Sequence, residues 1–138
     1  MAQTFEPIRF DDGKLCEVAM ENSVTVVKGD ALDDSDDDGL FGLATSSSDY
    51  VPFVAMESKT TTSAGEKIKA IRTLGVQFKA GTANNTAATD RNLSADLTDE
   101  NTLNNAASSN DVFYIEDIFG VAADKVVIGT FLGSKATA

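Results

Sequence analysis

From Ser23 almost to the C-terminus, short β-branched or apolar runs alternate with clusters of turn residues. Ser23-Val24-Thr25-Val26-Val27 is followed by the turn Lys28-Gly29-Asp30 and then by Ala31-Leu32. Leu40-Phe41-Gly42-Leu43-Ala44-Thr45 reads as a returning strand, and a serine turn leads into Tyr50-Val51-Pro52-Phe53-Val54-Ala55-Met56-Glu57. Pro52 has no N–H for a ladder, so it predicts a strand edge or bulge there. Lys67-Ile68-Lys69-Ala70-Ile71-Arg72 alternates polar with apolar, the period of a half-buried strand. Leu74 to Ala80 continues in the same style, and strands resume over residues 111–119 and 126–132. The rhythm predicts a mainly-β chain.

Two stretches depart from it. Residues 1–22 read as an N-terminal arm and hairpin, with Pro7 disfavouring helix and Asp11-Asp12-Gly13-Lys14 as the turn, and the first ten residues either pair locally or reach out to a neighbour. The main β-rich domain then spans residues 23–138 and ends in a frayed tail at 133–138. Within it, residues 81–110 are small and polar, and their only large apolar side chains are Leu93, Leu97 and Leu103. This stretch predicts a loop or short-helix insertion, with Thr98 as N-cap and Asp99 and Glu100 in the first turn.

Composition excludes several chemistries. The 138 residues carry 22 acidic and 11 basic side chains, a net charge of −11, and no histidine or tryptophan. Without imidazole there is no Ser-His-Asp or Cys-His catalysis and no histidine-held zinc. The acidic balance argues against nucleic-acid binding, which uses clustered Lys and Arg to displace counterions. Cys16 is the single cysteine, so no intrachain disulfide forms, and its setting suits a buried, inert thiol. No secretion signal is legible at Met1-Ala2-Gln3-Thr4-Phe5-Glu6, and no apolar run approaches the ~20 residues of a membrane helix. The expectation is synthesis in a reducing cytoplasm, with no membrane partner.

Asp34-Ser35-Asp36-Asp37-Asp38-Gly39 matches the first half of a calcium loop, with Asp34, Asp36 and Asp38 as candidate ligands. Thr45 occupies the position where such a loop ends in a bidentate glutamate, and both flanks read as strands. Any calcium would therefore be bound weakly, and the alternative is a solvated acidic turn that blunts a sheet edge. Phosphate-binding glycine loops and Ser-x-x-Lys are absent from the sequence. The many carboxylates single out no acid–base pair, so an enzyme is not expected, nor a cofactor. Lys67, Lys69 and Arg72 form either a small contact patch or simply the solvent side of a strand.

The order of several segments resembles that of the small head decoration, or capsid cement, proteins of tailed bacteriophages. The matching pieces are Val24-Thr25-Val26-Val27-Lys28-Gly29-Asp30-Ala31-Leu32, Gly42-Leu43-Ala44-Thr45, Val54-Ala55-Met56-Glu57 and Ala64-Gly65-Glu66-Lys67-Ile68-Lys69-Ala70. They cover residues 23–80 and, more loosely, the closing strands 112–132. Val51-Pro52-Phe53 stands where that family has a glycine, and residues 81–110 have no counterpart. The resemblance implies a small β-barrel-like or tulip-like domain, assembled as a homotrimer on the outer surface of a capsid. It also implies an N-terminal arm that clamps the major capsid protein, which gives Phe5, Pro7, Ile8 and Phe10 a contact role. A different virion or tail component is the nearest alternative, and a calcium-stabilised β-sandwich adhesion or carbohydrate-binding module is the next.

Overall fold

A computed structural model describes residues 5–34, 36, 38–121 and 124–132. The first four residues of the expected arm and the expected tail at 133–138 lie outside them. In chain order the strands are β1 (Glu6–Arg9), β2 (Leu15–Ala19), β3 (Thr25–Val26), β4 (Ala31–Asp33), β5 (Gly42–Leu43), β6 (Phe53–Ala55) and β7 (Lys59–Thr60). Then follow β8 (Lys67–Arg72), β9 (Gln77–Gly81), β10 (Ser94–Asp99), β11 (Thr102–Asn104), β12 (Phe113–Ile118) and β13 (Val126–Phe131). The helical pieces among the described residues are single 3-10 turns at Asp12–Lys14 and Ala88–Asp90. The chain is mainly β, as its rhythm predicts.

Pairing along these strands is antiparallel throughout and makes three sheets. One has six strands in the order β1-β9-β13-β12-β10-β11, another five in the order β2-β8-β6-β4-β5, and β3 pairs with β7. Both larger sheets are open but strongly curled. In the five-stranded sheet, Phe41 beside β5 bridges Met20 beside β2, with the Phe41 N–H on Ala19 O and the Glu21 N–H on Phe41 O, both 2.9 Å. In the six-stranded sheet, Thr82 after β9 bridges Leu103 of β11, and Ala83 N–H donates to Leu103 O at 2.8 Å. Single bridges thus bring β5 round to the end of β2 in one sheet and β11 round to the end of β9 in the other, giving two barrel-like curls.

The hairpin expected within residues 1–22 does not form. β1 pairs with β9 and β2 with β8, so the two strands belong to different sheets. Arg9 faces Gln77 and Leu15 faces Ile71: six residues forward on one segment match six residues back on the other. The two stretches are one antiparallel ribbon bent at a corner, the way strands pass from one packed sheet to another. The 3-10 turn at Asp12–Lys14 makes one side of the bend. Residues 73–76 make the other, with Val76 N–H on Thr73 O at 3.1 Å and Gly75 at φ +76°. Asp-Asp-Gly-Lys suits a corner as well as a hairpin. The apolar rows of β8 (Ile68, Ala70) and β9 (Phe78, Ala80), all buried, decide between them.

Residues 81–110 need a second correction. They contain β10 and β11, a hairpin on the six-stranded sheet, and Ala95, Leu97 and Leu103 are fully buried. No helix starts at Thr98. The Asp99 carboxylate instead accepts the Asn101 N–H at 3.0 Å, an Asx turn that competes with helix initiation. Asp96, which leaves only 5% of its surface exposed, is satisfied by three backbone donors: Ser109, Asn110 and Asp111 at 3.0, 2.8 and 3.0 Å. One carboxylate thus organises the following loop, as a buried charge must be hydrogen-bonded to persist.

Two apolar clusters fill the interior. In the larger, Phe131 lies at the centre of four rings, with centroids 4.9 Å from Phe5, 5.2 Å from Phe78 and 5.1 Å from Phe113. The last two contacts are edge-to-face, a favoured geometry for aromatic pairs. Val18, Met20, Val26, Leu32, Ala55, Ile68 and Ala70 form the smaller cluster, with Phe41 and Phe53 packed edge-to-face at its margin.

Candidate functional site

The arm residues separate into two groups. Phe5 is 1% exposed, and its ring belongs to the four-ring cluster, so it is core and offers nothing to a partner. Its N–H donates to Gly29 O at 2.9 Å, which pins the start of β1. Pro7 is half-buried opposite Phe78. Ile8 and Phe10 are both 41% exposed. They lie where the ribbon bends, and so do Leu15 and Leu74, exposed to 46% and 74%. Sequence reasoning missed the last two. Leu15 opens a strand and Leu74 precedes a turn glycine; neither local pattern tells exposure from burial. The bend is bordered by four exposed large apolar residues from two segments about 60 residues apart in the chain.

The acidic loop is rearranged relative to the calcium-loop expectation. Asp34 turns back to the main chain, accepting the Asp38 N–H at 3.2 Å and the Gly39 N–H at 3.0 Å. Asp38 accepts the Leu40 N–H at 2.9 Å. The carboxylates that come together are Glu21, Asp36 and Asp38, with oxygens within 4.8 Å of one another. Glu21 arrives from the end of β2 through the Met20–Phe41 bridge, and nothing local in the sequence marks it. Burial pushes its carboxyl up from the ordinary range, and the charges of Asp36 and Asp38 push it further. A site of this kind lowers its repulsion by taking up a proton or a hard cation with oxygen ligands.

Lys67 and Lys69 are exposed on one face of β8, as the alternation predicts. Glu17 stands directly across from Lys69 in register, and Glu57 accepts the Lys69 N–H at 2.6 Å. The Arg72 guanidinium lies 5.4 Å from the centre of the Phe53 ring. Lys69 and Arg72 thus already have acidic and aromatic neighbours within the chain. Cys16 is half-buried, and desolvation raises its thiol above the usual range, which keeps it protonated and unreactive.

A further groove, of about 390 Å³, opens between Asn92, Leu93 and Ser94 on one side and residues 105–108 with Asp111 on the other. Asn105 is already used: it bonds the Asn84 N–H and donates to Asn84 O, Asn85 O and the Asp90 carboxylate. The bent apolar corner and the acidic triad are two distinctive surfaces among the described residues, while Val27, Leu93, Phe119 and Val121 are exposed elsewhere. No family model, no curated protein and no solved structure matches the chain.

Proposed function

We propose that the chain is a structural virion protein that binds the outer surface of a phage capsid as a homotrimer and bridges major capsid protein subunits. The observation that carries this reading is the apolar corner of Ile8, Phe10, Leu15 and Leu74 on a molecule of net charge −11. Exposed large apolar residues bordering one bend of so polar a surface suit a contact site. Two of the four, Ile8 and Phe10, lie on the segment that the resemblance to decoration proteins assigns to the capsid. The charge favours the exterior, because an acidic protein lining the interior would be repelled by packaged DNA. The work asked of such a protein is burial of shared apolar surface across capsomers, with no catalysis and no cofactor.

Purified protein is expected to add to expanded empty capsids and to co-purify with virus particles at a fixed copy ratio. The double variant Ile8→Ser/Phe10→Ser should weaken that addition about tenfold or more, as expected for central apolar contacts. Deleting residues 1–10 is a poorer test, because it also removes Phe5 from the core. Binding by the double variant at the wild-type level would remove the arm from the interface. Failure of the wild type to bind any capsid would favour another virion or tail component.

The Glu21–Asp36–Asp38 cluster favours a second reading, a calcium-stabilised adhesion or carbohydrate-binding module. A melting curve recorded with added calcium separates the two. Under the decoration reading the midpoint stays put at millimolar calcium. A rise that disappears in Glu21→Gln would favour the module.

A further inference from the structure

Asp30 stands where three parts of the molecule meet. Its turn accepts the Phe5 N–H on Gly29 O at 2.9 Å, which ties in the arm. Gly29 N–H donates to Ala55 O and Ala55 N–H returns to Asp30 O, at 2.8 and 2.9 Å, which ties in β6. Next to it, Ala31 N–H donates to Glu100 O at 2.7 Å, linking the five-stranded sheet to the β10–β11 hairpin of the other. At this seam the Asp30 side chain is 2% exposed. One carboxylate oxygen accepts the Val27 N–H at 2.9 Å, while the other is buried with no partner among the described residues. The charged groups that act on it are Asp99 and Glu100 from the hairpin, both acidic. The arm and β6 present Phe5 and Ala55, which carry no charge, and Lys28 in the same turn is exposed.

We propose that Asp30 is a proton-operated latch at this seam: protonated, it holds the arm and the β10–β11 hairpin against the Val27–Asp30 turn, and ionised, it loosens both. The ionised form places an unpartnered buried oxygen opposite two carboxylates, whereas adding one proton removes the charge that has neither solvent nor cation to balance it. Burial foremost, then Glu100 and Asp99, raise this carboxyl to about 6, against the lowering effect of the Val27 N–H. The unfolded chain titrates at the ordinary value near 3.9. The folded state therefore holds the proton more tightly, and the stabilisation is complete below about pH 4 and lost as the pH rises through about 6. The latch belongs to the chain alone and does not rest on the capsid reading.

Hydrogen exchange at two amides reads it directly: Ala31, bonded to Glu100 O, and Phe5, bonded to Gly29 O. After correction for intrinsic rates, their protection is expected to fall about tenfold or more between pH 5 and pH 7.5. Asp30→Asn should abolish that fall, while Glu21→Gln, which removes the other raised carboxyl, should leave it. A carbon NMR titration of the wild type supplies a readout that needs no variant, with a midpoint near 6 expected for Asp30. A midpoint below 4.5, or the same protection profile in Asp30→Asn as in the wild type, would overturn the latch.

Discussion

Phe131→Ala is expected to lower the unfolding free energy by about 3–5 kcal/mol, the usual cost of emptying a buried aromatic site. Three rings lie within 5.2 Å of its centroid, and they come from β9, β12 and the start of the arm. Rings held by three separate backbone segments cannot collapse readily into the space left behind. For a chain of this size that loss corresponds to roughly 10–20 °C in the melting midpoint. Urea unfolding followed by circular dichroism measures it. Phe5→Ala should behave in the same manner, which distinguishes an arm built into the core from one that waits loose for a partner. A change below 1 kcal/mol in Phe5→Ala would mean that the arm's ring does not stabilise the fold in solution.

Gly129→Ala is the second large effect. Gly129 lies in β13 between Ile115 of β12 and Phe78 of β9, and it is buried. A Cβ there would fall far inside contact distance of Tyr114 O and 2.6 Å from Cε1 of Phe113. The first obstacle is backbone, and the second is a ring fixed in the aromatic cluster, so neither can give way cheaply. The register shift between Ile115 and Asp117 lies in the same place, where β12 carries one extra residue against β13. A loss of about 3 kcal/mol is expected from overpacking of this kind. Gly13→Ala is the control: nothing lies within 4 Å of its Cβ, and its φ is not positive. It should be neutral or stabilising by about 0.5 kcal/mol. Equal losses in the two variants would show that space at Gly129 is not what matters.

Several strands are legible locally. The Lys67-Ile68-Lys69-Ala70-Ile71-Arg72 alternation yields β8 with the expected faces, its lysines out and Ile68 and Ala70 in. Pro52 falls immediately before β6, where its missing N–H costs nothing, and its carbonyl accepts the Thr73 N–H at 3.0 Å. Residues 94–104 are illegible for the opposite reason. Two leucines among small polar residues give too few points to establish a period, and Asp99 suits an Asx turn as well as a helix's first turn. The hairpin became visible only once Leu97 and Leu103 had a sheet to face.

The candidate surfaces divide in the same way. Ile8 and Phe10 stand out in the sequence as apolar residues in an extended segment, yet so does Phe5, and only packing sends that ring inward. Asp34, Asp36 and Asp38 share a local spacing, but spacing alone does not say which of them turns to its own backbone. Glu21 joins the cluster because the five-stranded sheet curls until Phe41 meets Met20, 21 positions away in the chain.

What the sequence determined by itself was the exclusion of imidazole chemistry and the class of structure. The absence of histidine, the excess of acids and the short alternating runs depend only on which residues are present and on their immediate neighbours. The tertiary structure decided which strand pairs with which, which apolar side chains remain outside, and where one carboxylate oxygen is buried with no partner among the described residues. A strand's two faces follow from its own residues, but its partner is selected by complementary packing across long loops, whose closure cost grows only slowly with length. Distant partners are therefore nearly as accessible to a chain as near ones. That is why the arm lies along residues 77–79 and not along its own neighbour.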